Sequence, residues 1–197
     1  MLYVVLNFIA RGTPAADGSD GMAADATYTQ LGEMTGLSRS LISHGLMRLQ
    51  TLGLITATGS AQKRRYWIAG PHMPWFKLPC QAIVYQGAIA PFKTFTLRSK
   101  HELHALKLYL YLAACRGNVS EFSMVSYEKI HERTGISERD IRRAISLLIS
   151  SGLLVSVDRE FSQTLKVNEA NKYFLNGYRA LLKPAAGTGG MTATVAA

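Results

Sequence analysis

The stretch Thr35–Ile55, TGLSRSLISHGLMRLQTLGLI, occurs in a second version: shifted by 99 positions it lies without a gap on Thr134–Leu154, TGISERDIRRAISLLISSGLL. Over the wider window Thr27–Ile55 against Ser126–Leu154, nine of 29 positions are identical, among them Tyr28/Tyr127, Thr35/Thr134, Gly36/Gly135, Ser38/Ser137, Ile42/Ile141 and Gly53/Gly152. The chain contains an internal duplication.

Each copy reads as helix, tight turn, helix, strand. Glycine in Thr-Gly-Leu-Ser and Thr-Gly-Ile-Ser suits the left-handed residue that ends a helix, and the serine two residues later suits an N-cap. Ile42, Leu46, Leu49 and Leu52 then follow at helical spacing and define one buried face. Gly53 and Gly152 stop this helix before the apolar runs Leu54-Ile55 and Leu153-Leu154-Val155, which read as strands.

The whole chain sets the frame. A repeat spaced by 99 in 197 residues favours two domains of about a hundred residues each, large enough for separate cores. Twenty-two Lys and Arg against 13 Asp and Glu give a formal charge of +9, which makes a polyanion the first partner to consider. Cys80 and Cys115 lie in no metal-ligand spacing, which argues against zinc and for a reducing compartment. The apolar opening MLYVVLNFIA has no basic stretch before it and is too short to span a bilayer. A cytoplasmic protein without membrane contact is expected.

In chain order, Leu2–Ala10 is expected to be the first helix, with Ala105–Arg116 as its counterpart. The Gly-, Ala- and Asp-rich stretch from Arg11 to Thr27 reads as a mobile insertion. Thr27-Tyr-Thr-Gln30 has capping-box spacing and starts a helix to about Met34, and the next helix runs Ser38–Leu52. In ITATGSAQKRRYWIA, two β-prone runs flank Gly59–Gln62 and place Lys63, Arg64 and Arg65 beside a hairpin tip. Pro71, Pro74, Pro79 and Pro91, with Trp75, Phe76, Tyr85, Phe92 and Phe95, describe an ordered connector over residues 71–104 packed against one or both domains, with an exposed interaction segment as the alternative. In the second half a strand pair encloses Asp158–Gln163. Asn168 is expected to cap a last helix, EANKYFLNGYRALL, whose Tyr173, Phe174, Tyr178, Leu181 and Leu182 face its own domain or a second copy. Residues 183–197 read as a disordered tail.

Helix, paired helices across a turn, and basic hairpin together resemble the winged helix-turn-helix family, in which the hairpin is the wing. The resemblance implies a mainly α chain with small β-hairpins, an α+β fold of two tandem winged domains over residues 1–70 and 105–182. It implies double-stranded DNA as partner and an operator-binding transcriptional regulator as function. A tandem pair on one chain also resembles the plasmid replication initiators, which read repeated origin sequences. A protein-interaction module without a DNA task is the third reading.

Residues 27–70 carry five Lys or Arg against one acid, and residues 126–160 carry six of each, so the first copy is the better phosphate binder by charge. A helical wheel opposes Ser40, His44, Met47 and Thr51 to the buried Ile42, flanked by Ser43 and Arg48; Arg39 is counted with the same DNA-facing set. Opposite Ile141 stand Arg139, Arg143, Ser146 and Ser150, flanked by Arg142. Arginine makes the two-pronged contact to guanine, so the second helix has the more specific chemistry. Ser137 at the helix start and Arg159 in the second wing complete the expected DNA-facing set. A solvated face is the plain alternative for the arginines, and Glu138 and Asp140 weigh against phosphate contact unless they serve the helix N-terminus. Leu147, with Ile145, Leu148 and Ile149, makes this helix apolar almost all round and suggests a second packing surface, against the first domain or another subunit. There is no phosphate-binding Gly-Lys-Ser/Thr loop, no His-Glu-x-x-His and no nucleophile elbow, so no enzyme and no cofactor are expected.

Overall fold

The computed structural model describes residues 1–14, 20–60, 63–69, 78–117, 120–159, 161–162, 167–168 and 170–182. The first half runs α1 (Leu2–Ile9), β1 (Arg11–Pro14), β2 (Asp20–Asp25), α2 (Tyr28–Thr35), α3 (Arg39–Thr51), β3 (Ile55–Ser60) and β4 (Lys63–Ile68). Between the halves lie α4 (Cys80–Ile83), β5 (Val84–Tyr85), β6 (Ala88–Ile89) and α5 (Ala90–Lys93). The second half runs α6 (Lys100–Cys115), β7 (Ser123–Val125), α7 (Tyr127–Thr134), α8 (Glu138–Ser150), β8 (Leu154–Asp158), β9 (Phe161–Ser162), β10 (Val167–Asn168) and β11 (Asn171–Leu175), then a 3-10 turn over Tyr178–Leu181. This is mixed helix and sheet, with every strand pair among the described residues antiparallel.

The two turns between paired helices are built from the same atoms. Gly36 (φ 75) and Gly135 (φ 68) take the left-handed conformation that ends α2 and α7. Thr35 Oγ1 donates to the Leu31 carbonyl at 2.5 Å and accepts from Leu37 N at 3.2 Å; Thr134 does the same with Ile130 and Ile136, at 2.6 and 3.2 Å. Ser38 and Ser137 then cap α3 and α8, their hydroxyls accepting from Leu41 N and Asp140 N at 3.3 Å each. The capping box at Thr27 and Gln30 starts α2.

The elements depart from the sequence reading in three places. First, Arg11–Thr27 contains strands at both ends: β1 and β2 join the hairpin in the order β1-β2-β4-β3. Ala23, Ala24 and Ala26 are buried there, so small side chains carry the packing and leave no apolar alternation to read. Second, α6 begins at Lys100, five residues before the expected start, because Ser99 caps it and Glu102 Oε1 accepts from Thr96 N at 2.7 Å. Third, the expected last helix does not form. Asn171–Leu175 is the central strand of a sheet ordered β7-β11-β8, and Asn168 lies in β10 rather than at a helix cap. Tyr173 and Leu175 point inward, a period of two that the neighbouring aromatics at helical spacing disguise.

With these strands in place, Ile55 pairs with Ile68 as Leu154 pairs with Leu175, and Tyr66 and Tyr173 stand fully buried in equivalent sheets. The likeness between the two halves therefore extends beyond the helices. The first-half hairpin pairs Ser60 with Lys63, whereas the second half carries the additional pair β9–β10.

The intervening segment packs. Ile83, Ile89, Phe92 and Phe95 are buried and belong to the same contiguous core as both halves, with β6 and α5 lying against α2. At its other end Gly177 sits at φ +80, where an added Cβ would overlap the Cβ atoms of Pro79 and Ala82. Residues 70–77, with Trp75 and Phe76, and the expected tail 183–197 lie outside the described residues.

Gly177→Ala is expected to destabilise the protein by about 2 to 4 kcal/mol, from left-handed strain plus overlap with the connector. Gly152→Ala, at φ +76 with nothing within 4 Å of its Cβ, should cost only the strain, about 1 to 2 kcal/mol. Urea unfolding of the two variants measures the difference, which isolates the packing of the connector on the second half.

Candidate nucleic-acid interface

The outward faces of α3 and α8 are open. Arg39, Ser40, Ser43, His44, Met47 and Thr51 are exposed on α3, while Ile42 and Leu46 are buried. Arg139, Arg142, Arg143, Ser146 and Ser150 are exposed on α8, above the buried Ile141, Ala144, Ile145 and Leu148. Both sets are thus exposed, whereas Leu52, expected on the buried face of its helix, is 54% exposed. Not all members are equally free. Ser146 and Ser150 donate back to the Arg142 and Leu147 carbonyls at 3.1 Å each, leaving lone pairs rather than protons for a partner. Ser137 is committed as the N-cap.

Arg48 is exposed but stands to one side of its helix's outward face. With Leu41, Gly45 and Leu49 it borders a largely apolar cavity of about 410 Å³, closed on the other side by Phe95, Leu97 and Leu103. The wheel placed it at the edge of the outward face, and the approach of the connector and α6 turns that edge into a cleft.

The hairpins hold their arginines by aromatic and acidic partners. Arg64 lies 5.9 Å from the Tyr28 ring centre and donates to its hydroxyl at 3.4 Å. In the second half Arg159 lies 6.0 Å from the Tyr127 ring and donates to that hydroxyl at 3.2 Å. The two tyrosines occupy equivalent positions in the repeat, at the start of α2 and α7. Each fixes a guanidinium beside a helix N-terminus, where the backbone N–H groups also favour anions. Neither tyrosine was identified from the sequence as part of the surface, although their identity across the duplication was the available signal.

Arg65 has a different environment. It makes a two-pronged ion pair with Asp25 on β2, 2.8 Å at each contact, and lies 5.9 Å from the Trp67 ring. Hydrogen bonding and charge from Asp25 raise the guanidinium pKa further above its usual value. The strand that supplies Asp25 is one the sequence did not reveal, so the basic character of this hairpin is lower than its composition suggests. Lys63 lies in β4 and its side chain is outside the described residues.

Asp140 accounts for the acidic start of α8. Burial opposes its ionisation, but the Ser137 hydroxyl, Lys100 and the nearby His101 outweigh burial and hold its carboxyl below the ordinary range. Arg143 Nη1 lies 3.9 Å from Asp140 Oδ1, so one arginine of the outward face leans on its own helix. The apolar surplus on α8 is taken up by α6, which packs along it; Ile149 remains 45% exposed. No described helix is long and apolar enough to cross a membrane.

Residues 103–154 match a family model described as a helix-turn-helix domain. The match spans α6 from Leu103 to the first residue of β8, and thus covers the second copy but not the first. It supports DNA binding by this half. No curated protein matches the chain.

Asp25→Asn is expected to release Arg65 and strengthen binding to random duplex, with a log-log salt dependence steeper by about one charge. Fluorescence anisotropy on a labelled duplex across a salt series reads both quantities. An unchanged slope would mean that Arg65 does not face phosphate.

Proposed function

We propose that the chain is a sequence-specific double-stranded DNA-binding protein that uses two winged helix-turn-helix units in tandem, and that it regulates transcription. The observation that carries this reading is the exposed arginine set of α8, Arg139, Arg142 and Arg143, on the second helix of a matched helix-turn-helix unit. In that motif the second helix enters the major groove, where guanidinium groups reach guanine O6 and N7. The first unit contributes phosphate contacts from the Tyr28–Arg64 pair and shorter polar contacts from Ser40, Ser43 and His44.

The units differ where they would meet bases. Ser40, Ser43, His44 and Met47 on α3 correspond to Arg139, Arg142, Arg143 and Ser146 on α8. A single chain of this kind reads an asymmetric site, not a palindrome. The tandem arrangement also favours a second reading, initiation of plasmid or phage replication at repeated origin sites. Neither reading involves catalysis.

Selection of bound sequences from a random duplex pool is expected to return an asymmetric site. On that site Arg142→Ala or Arg143→Ala should cost about 1 to 3 kcal/mol while random-duplex binding changes little. The triple change of Lys63, Arg64 and Arg65 to Ala should instead weaken binding to all sequences and flatten the salt slope. Equal losses on both DNAs for Arg143→Ala would remove base reading from α8. A selected site at a promoter supports the regulator, and repeated sites at an origin support the initiator.

A further inference from the structure

Behind the outward face of α8 lies a cluster that DNA contact does not use. His101 and His104 stand three residues apart on α6, and Asp140 approaches them from the first turn of α8. His101 Nδ1 lies 3.8 Å from Asp140 Oδ1, and His104 Nδ1 lies 3.8 Å from Asp140 Oδ2. Both distances exceed a hydrogen bond. Both Nδ1 atoms are nevertheless removed from solvent and have no hydrogen-bond partner among the described residues. The other two described histidines differ: His131 Nδ1 is engaged with the Ile136 carbonyl at 2.9 Å, and His44 is exposed.

Two buried ring nitrogens that face one carboxylate without bonding to it are left unsatisfied, at a cost that an ion between them would remove. Ligands each about 2.1 Å from one ion stand at most about 4.2 Å apart. The three ligand atoms lie within 4.8 Å of one another, so a small inward movement of the imidazoles closes the set. We propose that His101, His104 and Asp140 form a binding site for a divalent transition-metal ion of the zinc class, with water completing the coordination. Two imidazole nitrogens and one carboxylate oxygen suit Zn²⁺ and Co²⁺ and do not suit Mg²⁺ or Ca²⁺, which take oxygen ligands.

Two cations compete for Asp140. Lys100 Nζ lies 3.3 Å from Oδ2, and Arg143 Nη1 lies 3.9 Å from Oδ1. Their side chains are 67% and 53% exposed, so both can swing into solvent when the ion takes the carboxylate. The ion then clips α6 to the start of α8 and frees Arg143.

The site does not depend on the DNA reading and is tested without DNA. Isothermal titration of the full chain with ZnCl₂ is expected to show saturable binding of one equivalent at micromolar zinc, accompanied by a rise in the thermal midpoint. His101→Ala and His104→Ala should each weaken binding by at least about tenfold, while His44→Ala and Cys115→Ser leave it unchanged. Circular dichroism of each variant without zinc establishes that the fold is retained, and Asp140→Asn provides a third variant should one histidine change unfold the chain. Absence of saturable binding, or equal binding by wild type and both histidine variants, would overturn the proposal.

Discussion

The orientation of each outward-facing helix rests on one threonine hydroxyl, that of buried Thr35 and that of half-buried Thr134. Thr35 and Thr134 end their helices by donating a hydrogen bond from the hydroxyl to the carbonyl four residues back, and each hydroxyl accepts from the N–H two residues ahead. Gly36 and Gly135 then reverse the chain in a conformation that other residues adopt only under strain. Thr35 is 1% exposed, so its unpaired polar groups would cost about 1 to 3 kcal/mol each without this arrangement. The angle between the paired helices is set by these bonds, and the outward face follows from that angle. Were the turn to relax, the apolar faces of α3 and α8 would lose their fit against α1 and α6.

Charge is distributed by the sheets more than by the helices. A net of +9 invites the picture of a cationic protein that grips DNA everywhere. The pairing of Arg65 with Asp25 across β2 and β4 contradicts that picture for the first hairpin, since a two-pronged carboxylate contact spends the guanidinium's geometry as well as its charge. Arg64 and Arg159 are held differently, over tyrosine rings and with no ion pair among the described residues. The same residue type thus contributes structure at one position and field at the next.

Helices α2, α3, α7 and α8 and the turns between them were legible because their signals are local. The capping box at Thr27, the serine caps and the 3.6-residue period of α3 each depend on residues within one or two turns. The strands β2, β7 and β11 were not legible, because what fixes them is pairing with segments far away in the chain. Ala23 and Ala24 carry no apolar signature, yet they sit in β2 beside β4, filling a space that larger residues would overpack. The segment around Tyr173, Phe174 and Tyr178 offered aromatics at both periods, and only the open position between β7 and β8 decides for the strand. Of the expected surface, exposure of the α3 and α8 sets was recovered from the wheel. The Tyr–Arg pairs and the Asp25 contact were not, since both join residues more than thirty positions apart.

The two copies diverge in a pattern that follows the same division. Positions that satisfy backbone groups or fill the core are identical or nearly so: Thr, Gly and Ser of the turn, Ile42 and Ile141, Leu49 and Leu148. The face that meets the first helix of each half has changed with its neighbour. Gly45 on α3 admits Leu2 at a distance that a Cβ would contest, while the corresponding Ala144 on α8 is buried beside the longer α6. Leu41 borders an apolar cleft, and its counterpart Asp140 meets Lys100, His101 and His104. Between the two matching stretches, residues that satisfy the backbone are kept and residues that meet different neighbours differ, so the differences lie where each half packs against its own surroundings.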